Sequence, residues 1–577
     1  MNVRRYQKWA KSGLAIMLAG AMMVGTAASG GGMTAQAAET ESSDTVSTQK
    51  AVTSDAASLL FTEKHITSDL TLPTIGASGT TISWKSSNPS VLSNEGKVTR
   101  PKKGAADEEV TLKGTVKMGD YAKARNFTFV VLAESEMGPT KEFALDQVEL
   151  LDDYYLTAQN SDIEFLKKFD NDRLLSRFRE TAGLDTKKKA PYGGWEDSLL
   201  GGHSVGHYLT AIAQAVKATG NADLKEKSKQ LIEGLAECQN KLGTGFIFGA
   251  KIETEGYVEK QFDILEGKTT GKTWVPWYNM HKMLTGLVDT YKYTGNKQAL
   301  EVAKKLGDWI YNRVSKWDAG TQGRVLGTEY GGMNDCLYEL YLCTRDSKHL
   351  EAAHKFDEPN LYKTVAKGGK NCLNGKHANT TIPKFLGALK RYVVLEQTGE
   401  LTKNDEAYLT NVEKFFDIAV TRHAYITGGV SVMEHFRKDN NQDGTRTQTN
   451  CESCCAHNML KMAKELYKVT GDKKYADYYE TTLRNSIMGA VKSESGAAAY
   501  FIPMATGYFK TFGNENPAKN MFWCCTGSGM ENFTKLGDSI YFHTNDTLIV
   551  NQYVSSKVTW EEKNLVVTQK SDVTKSD

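Results

Sequence analysis

The sequence predicts a mainly α protein built on a closed ring of α-hairpins, an (α/α)6 toroid, with β segments before and after it. Three observations predict this. Thr-Gly-Asn-like breaks recur five times between amphipathic stretches, at intervals of 50 to 75 residues. Short runs of β-formers separated by turn residues fill residues 59–137. β patterning returns from about Thr547. A chain of 577 residues is also too long for one ordinary domain, and about 150 residues per domain suggests two to four units.

The first segment reads as a targeting signal. Arg4, Arg5, Lys8 and Lys11 precede an apolar run from Leu14 to Ala28, and Ala35-Gln36-Ala37 offers a small-residue cleavage site. Residues 1–37 are therefore expected to be a signal peptide, and the mature protein to be secreted or held at the cell surface. No other stretch approaches the ~20 apolar residues of a membrane span. Residues 38–58, rich in Ser, Thr, Asp and Gln, read as a linker. Residues 59–137 read as a small all-β domain. Its runs include Thr81-Ile82-Ser83-Trp84 and Phe127-Thr128-Phe129-Val130-Val131, with turns at Ser87-Asn88-Pro89 and Asn94-Glu95-Gly96. The stretch Ile82 to Pro101 resembles the immunoglobulin-like modules of bacterial surface enzymes, which implies a spacer or binding accessory.

Residues 145–543 are read as the helical ring. The breaks are Thr219-Gly220-Asn221, Thr294-Gly295-Asn296, Thr344-Arg345-Asp346, Thr398-Gly399-Glu400 and Thr470-Gly471-Asp472. Gly suits the left-handed residue that ends a helix, and Asn or Asp suits the start of the next. After Asn296 the run Leu300, Val302-Ala303, Leu306, Trp309-Ile310 has helical spacing. The intervals are too long and irregular for a short-repeat solenoid, and a closed ring with long loops at one end fits them better. Residues 544–577 hold three strand-like runs. They are read as the beginning of a C-terminal β-sandwich cut short at Asp577, or as strands that complete something small.

The net charge of +2 points neither to nucleic acid nor to an anionic membrane surface. The 26 Tyr and 9 Trp suit sugar stacking and ordinary cores alike. Nine cysteines, an odd number, leave at least one outside any intramolecular disulfide scheme. Five of them fall into two clusters, Cys451, Cys454 and Cys455 in "CESCC" and Cys524-Cys525 in "FWCCTGSGMEN". Vicinal pairs rarely bridge to each other. Glu452, Cys454, Cys524 and Cys525 together offer a carboxylate and three thiolates, a donor set that zinc accepts. Adjacent Cys524 and Cys525 reach one ion only if the backbone turns sharply, which the Gly-rich Thr526 to Gly529 would permit. On spacing alone a structural zinc, a catalytic zinc or thiol, and inert buried thiols all remain open.

Seven ordered motifs carry a resemblance. They are "GHSVGHYLTA" (202–211), "VPWYNMHKMLTGL" (275–287), "EYGGMNDCLYELY" (329–341), "HANTTIPK" (377–384), "TGGVSVMEHF" (427–436), "ESCCAHNMLKMA" (452–463) and "CCTGSGMEN" (524–532). The chain from about residue 145 resembles the cysteine-dependent β-L-arabinofuranosidases of glycoside hydrolase families 127 and 146, more closely the second. The resemblance implies zinc held by Glu452, Cys454, Cys524 and Cys525. It implies Cys524 as nucleophile and Glu434 as acid/base. It places His281 and His377 in the sugar pocket, with His207 or His203 at the same end and Tyr500 near the nucleophile. The partner implied is an arabinose-containing oligo- or polysaccharide.

Such chemistry is self-consistent. A free thiol near pKa 8.5 is mostly protonated at neutral pH, and a metal-bound thiol is ionised. A retaining glycosidase needs a nucleophile and a separate acid/base group. This chain departs from the family in the flanking Cys451 and Cys455, which would compete as ligands, form a disulfide or play no part. "GGHSVGHY" also differs from better-known members. Two alternatives remain: the same fold and mechanism on another sugar, and a noncatalytic carbohydrate-binding protein in which zinc is a staple.

Overall fold

The computed structural model describes residues 43–571 except 62–63, 68, 103–104, 134–138, 251–256, 493 and 513–520. The segment 1–37, read as a signal peptide, lies outside the described residues. The chain divides into two compact units, one of residues 1–60, 73–84 and 113–126, the other of 61–72, 85–112 and 127–577.

In the smaller unit the polar stretch read as a linker forms a helix, α1 (Ser43–Ser58). Composition hid a buried stripe, because Val52, Asp55 and Ala56 are all enclosed. Asp55 tolerates burial because Ser78 N–H, Ser78 Oγ and Thr80 Oγ1 donate to its carboxylate. Arg125 Nη1 donates to the carbonyls of Ala56 and Leu59, closing the end of α1. The expected β module is present. Strands β1 (His65–Ile66), β2 (Thr81–Ser86), β3 (Glu108–Met118) and β4 (Tyr121–Val131) form a sheet in the order β1-β4-β3-β2.

The larger unit contains the ring. Strands β5 (Lys141–Glu142) and β6 (Val148–Leu150) lead into α2 (Asp153–Lys167), α3 (Asn171–Thr181), α4 (His203–Thr219), α5 (Ala222–Leu242), α6 (Lys260–Leu265) and α7 (Pro276–Thr294). Then follow α8 (Lys297–Val314), α9 (Ala319–Leu326), α10 (Met333–Thr344), α11 (Ser347–His354) and α12 (Pro359–Ala366). The series ends with α13 (Ala378–Thr398), α14 (Glu406–His423), α15 (Ser453–Thr470), α16 (Lys473–Thr482) and α17 (Cys524–Phe533). Helix α4 packs on α7, α7 on α10, α10 on α13, α13 on α15, α15 on α17, and α17 back on α4. These six close an inner ring, as the sequence predicts.

The hairpin breaks explain how the first five inner helices hand over to outer ones. Gly220, Gly295, Arg345, Gly399 and Gly471 all sit in the left-handed region, with φ of 68°, 71°, 57°, 74° and 66°. Asn221, Asn296, Asp346 and Asp472 then cap the first-turn N–H groups of α5, α8, α11 and α16. Glu400 caps nothing comparable, since α14 starts only at Glu406. Inside the ring, α4 and α7 touch backbone to backbone. A Cβ on Gly206 would stand 2.1 Å from the Lys282 carbonyl oxygen, and one on Gly286 2.5 Å from that of Gly206.

Apolar clusters fill the space between inner and outer helices. The ring axis is different. All six inner helices line a cavity of about 240 Å³, and all but α4 do so with charged side chains, among them Lys292, Glu339, Lys390 and Glu465. These pair with one another, as in Lys292–Glu339 at 2.6 Å and Lys390–Glu339 at 2.6 Å.

The final β segment does not stand apart from the ring. Strand β9 (Tyr541–His543) pairs with β10 (Leu548–Val550) and with β5, so the sheet begins before residue 544. Strand β11 (Ser556–Trp560) pairs with β6 and with β12 (Leu565–Gln569). The late strands thus join two three-stranded sheets seeded just before α2, which gives partners to edges that looked isolated in sequence. No helix among the described residues is long and apolar enough to cross a membrane.

Candidate active site

Six of the seven motifs open the six inner helices, and their first turns converge at one end of the ring. Helix N-termini present unpaired N–H groups and a partial positive charge, so this end favours anions. At α4 a buried carboxylate already answers that field. Glu196 accepts from Gly202 N–H at 2.8 Å and Ser204 N–H at 3.1 Å. Its Oε1 also lies 2.8 Å from His203 Nδ1.

Helices α15 and α17 bring the clustered thiols together. Ligand atoms of Glu452, Cys454, Cys524 and Cys525 all lie within 4.8 Å of one another, and all four residues are buried. Cys454 Sγ stands 3.2 Å from Cys525 Sγ, and Glu452 Oε1 stands 3.6 Å from Cys525 Sγ and 4.0 Å from Cys524 Sγ. Donors ~2.0–2.3 Å from one central ion would be separated by about these distances. The donor set therefore fits zinc, with Glu452, Cys454, Cys524 and Cys525 as the residues that would hold it.

The two adjacent cysteines converge without the sharp turn expected of Thr526 to Gly529. That stretch is helical, and both thiols project from the first turn of α17. Its glycines serve close packing instead. A Cβ on Gly527 would meet His207 Cγ at 2.3 Å, and one on Gly529 would meet Ala498 Cβ at 2.4 Å.

The flanking thiols stand outside the four-donor group. All nine cysteines are free. Cys455 donates to Glu452 Oε2 at 3.1 Å, and Cys451 packs beneath Gly429, where a Cβ would be 2.9 Å from its Sγ. Asn379 Nδ2 donates to Glu452 Oε1 at 3.1 Å, and Ser528 Oγ to Cys454 Sγ at 3.0 Å.

Cys524 differs from its neighbours. It is 8% exposed, against 1–2% for Cys454 and Cys525. Hydrogen bonds from Cys454 and Cys525, helped by Tyr500, hold its thiol well below the usual range against the effect of burial. Burial pushes the Cys454 and Cys525 thiols up. Tyr500 OH donates to Glu434 Oε1 and lies 3.4 Å from Cys524 Sγ, so one phenol touches both proposed reacting groups. Tyr500 is fixed because its carbonyl accepts from Ser453 N–H at 3.0 Å, at the start of α15.

Glu434 sits on a strained loop. Ser431, Met433 and Glu434 have φ of 87°, 46° and 64°, which L side chains rarely adopt. Backbone bonds impose it: Ala378 N–H donates to the Glu434 carbonyl at 2.6 Å, and Met433 N–H to that of Thr449 at 2.9 Å. Strain maintained in this way marks functional loops.

The histidines divide into three kinds. His377 caps α13, taking Thr380 N–H on Nδ1 at 3.3 Å, and its Nε2 lies 3.4 Å from Glu434 Oε2. Burial works against its charge, yet Glu434 and Glu329 together raise its pKa. His281 is buried, and Gly332 N–H donates to its Nδ1 at 3.0 Å, which leaves the ring proton on Nε2. Gly331 and Gly332 are needed there, because a Cβ on Gly331 would be 2.5 Å from Nδ1. His207 is different again: it is wholly buried between α4 and α17, with Nδ1 on Glu531 Oε1. It supports α17 from behind.

Sequence reasoning passed over Asn379, Ser528 and Glu329. Each lies inside a quoted motif, and Glu329 is the second carboxylate whose charge acts on His377. Their roles depend on contacts between distant helices, which no local pattern signals.

The family profile of the β-L-arabinofuranosidase GH127 catalytic domain matches residues 147–538, and that of an atrophied bacterial Ig domain matches residues 46–134. Among solved structures, the chain is similar to a GH127 β-arabinofuranosidase, at 19% identity over 76% of this chain and 68% of that one, with a TM-score of 0.57. It is likewise similar to a GH127 β-L-arabinofuranosidase from Geobacillus stearothermophilus T6, at 18% identity over 71% and 68%, with a TM-score of 0.52. At these identities the likeness is one of fold. No curated protein matches the chain.

Proposed function

Since the chain belongs to the GH127 β-L-arabinofuranosidase family of glycoside hydrolases, we propose that it releases β-L-arabinofuranose from arabinose-containing glycans with retention, using Cys524 as nucleophile and Glu434 as acid/base. The observation that carries this reading is the phenol of Tyr500 between Glu434 and Cys524. One oxygen touching both keeps them within about 6 Å, below the ~6.5–9.5 Å of inverting pairs and near the ~5–5.5 Å of retaining ones.

The residues divide the work as follows. Cys524 Sγ attacks the anomeric carbon and the glycosidic C–O bond breaks. Glu434 gives its proton to the departing oxygen. A water molecule then loses a proton to Glu434 and attacks the same carbon, and the C–S bond breaks to return the thiolate. Tyr500 holds the Glu434 carboxyl in place, and His377 touches its other oxygen. Bound zinc would keep the coordinated thiols ionised and fixed. The reading further assigns the enzyme to the family-146 type, on its seven motifs, and to the cell exterior, on residues 1–37.

Release of arabinose from p-nitrophenyl β-L-arabinofuranoside, with zinc measured on the same sample, tests the reading. A zinc-loaded protein that leaves this substrate untouched sinks the sugar assignment.

A further inference from the structure

The nucleophile has an aromatic neighbour on each side of a short backbone crossing. Strand β7 (Gly193–Gly194) runs parallel to β8 (Met521–Phe522), with Gly194 opposite Phe522. That register sets the next residues, Trp195 and Trp523, side by side, and Trp523 immediately precedes Cys524. Glycine is required for the crossing: Gly194 has φ of 71°, and a Cβ there would be 2.9 Å from the Phe522 carbonyl oxygen. Trp195 stands edge-on to Trp523, with centroids 5.0 Å apart at 82°, and edge-on to Trp274, 5.2 Å apart at 72°. Trp274 comes just before Val275-Pro276, where α7 begins, about one turn ahead of Tyr278 and two ahead of His281.

Packing does not account for this trio. Trp195 and Trp523 are half-buried and Trp274 is 40% exposed, so indole surface is left in water beside the reacting thiol. Exposed aromatic surface costs free energy and is characteristic of ligand grooves. An indole offers an apolar face and one N–H donor, which suits the C–H face and hydroxyl rim of a sugar ring. The floor beneath is built: Leu200, Val275 and Tyr278 are buried and Trp195 packs on them. Glu434, His377 and Tyr500 belong to α13, α15 and their loops, so the tryptophans occupy the other side of Cys524, toward α4 and α7.

We propose that Trp195, Trp274 and Trp523 form a second sugar subsite, which binds the saccharide unit next to the one attacked by Cys524. The inference rests on the glycosidase reading above. It makes the enzyme selective for substrates of two or more sugar units over simple aryl glycosides.

The test compares kcat/KM on p-nitrophenyl β-L-arabinofuranoside with kcat/KM on a disaccharide that carries β-L-arabinofuranose on a second sugar. In Trp274→Ala the disaccharide-to-aryl ratio is expected to fall about tenfold. Trp274→Tyr should recover most of it. Tyr553→Ala removes a ring that is 67% exposed elsewhere and should leave the ratio unchanged. An unchanged ratio in Trp274→Ala, with both substrates cleaved, overturns the subsite alone. Failure of the unaltered enzyme on both substrates overturns the activity reading and the subsite with it.

Discussion

Cys455 Sγ donates to Oε2 of Glu452 at 3.1 Å, which turns the other carboxylate oxygen, Oε1, toward the thiols of Cys524 and Cys525. A thiol beside the donor set thus orients one of its members and stays out of the set.

The metal prediction follows from that arrangement. The purified protein should carry close to one zinc per chain. Cys454→Ala removes a donor, and zinc should be lost. Cys455→Ala removes only the hydrogen bond that steers Glu452, so zinc should stay but bind about 10–100-fold more weakly in chelator competition. Equal zinc loss in both variants would place Cys455 among the ligands.

Cys524→Ser should keep the fold, because it exchanges one small side chain for another at the first residue of α17, and should lose turnover by about a thousandfold or more, since a serine hydroxyl is not ionised near neutrality. Mass spectrometry of the unaltered enzyme, quenched during turnover, should place a glycosyl adduct on Cys524. An adduct on Cys451 or Cys455 would overturn the assignment.

Glu434→Gln should behave differently from Cys524→Ser. Its thiol is intact, so an aryl glycoside with a good leaving group should give a burst of aryl alcohol and then stall without a base for water. Steady-state turnover should fall about 10²–10⁴-fold. A missing burst in rapid-quench traces would contradict the division of roles.

His423 sets a pH limit. It is buried and packs edge-on against Phe436, two residues beyond Glu434, with ring centroids 5.1 Å apart. Burial lowers its pKa to about 4, while Asp439 opposes the shift. The unfolded chain, with an ordinary histidine near 6.5, binds the proton first as pH falls. The contribution to stability is therefore complete above pH 6.5 and is lost between about 6.5 and 4, at most about 3 kcal/mol. His423→Gln should flatten the pH dependence of Tm over that window. An unchanged slope would exclude His423 as its source.

Gly206→Ala forces a methyl group into the Lys282 carbonyl at the α4–α7 contact. The expected cost is about 3 kcal/mol or more, read as a fall in Tm or a failure to fold. An unaffected Tm would mean that the two helices can slide apart.

The ring was legible in sequence because its hairpin ends use chemistry that only a few residues provide, as at Gly220-Asn221 and Gly471-Asp472. The motifs were legible for the same reason, since Cys, His and Glu stood at tight spacings. Other features were not, because they depend on distant partners. The 38–58 stretch looked like a linker because Val52 and Ala56 are few among polar residues, and Asp55 is satisfied by Ser78 and Thr80 more than 20 positions away. The late strands looked unsupported because their partners lie some 400 residues earlier. The sharp turn expected after Cys525 arose from reading glycine as flexibility, where it provides room for His207 and Ala498.

Helix α17 both closes the ring onto α4 and delivers Cys524 and Cys525. During synthesis these arrive about 300 residues after α4 has emerged. Every earlier stage of assembly has an open seam between α4 and α15 and lacks at least two of the four donor atoms, the thiols of Cys524 and Cys525. Reactive sulfur chemistry is thereby withheld until the last ring helix docks. On the proposed reading, the order of the chain makes a complete four-donor site a report that the toroid has been closed.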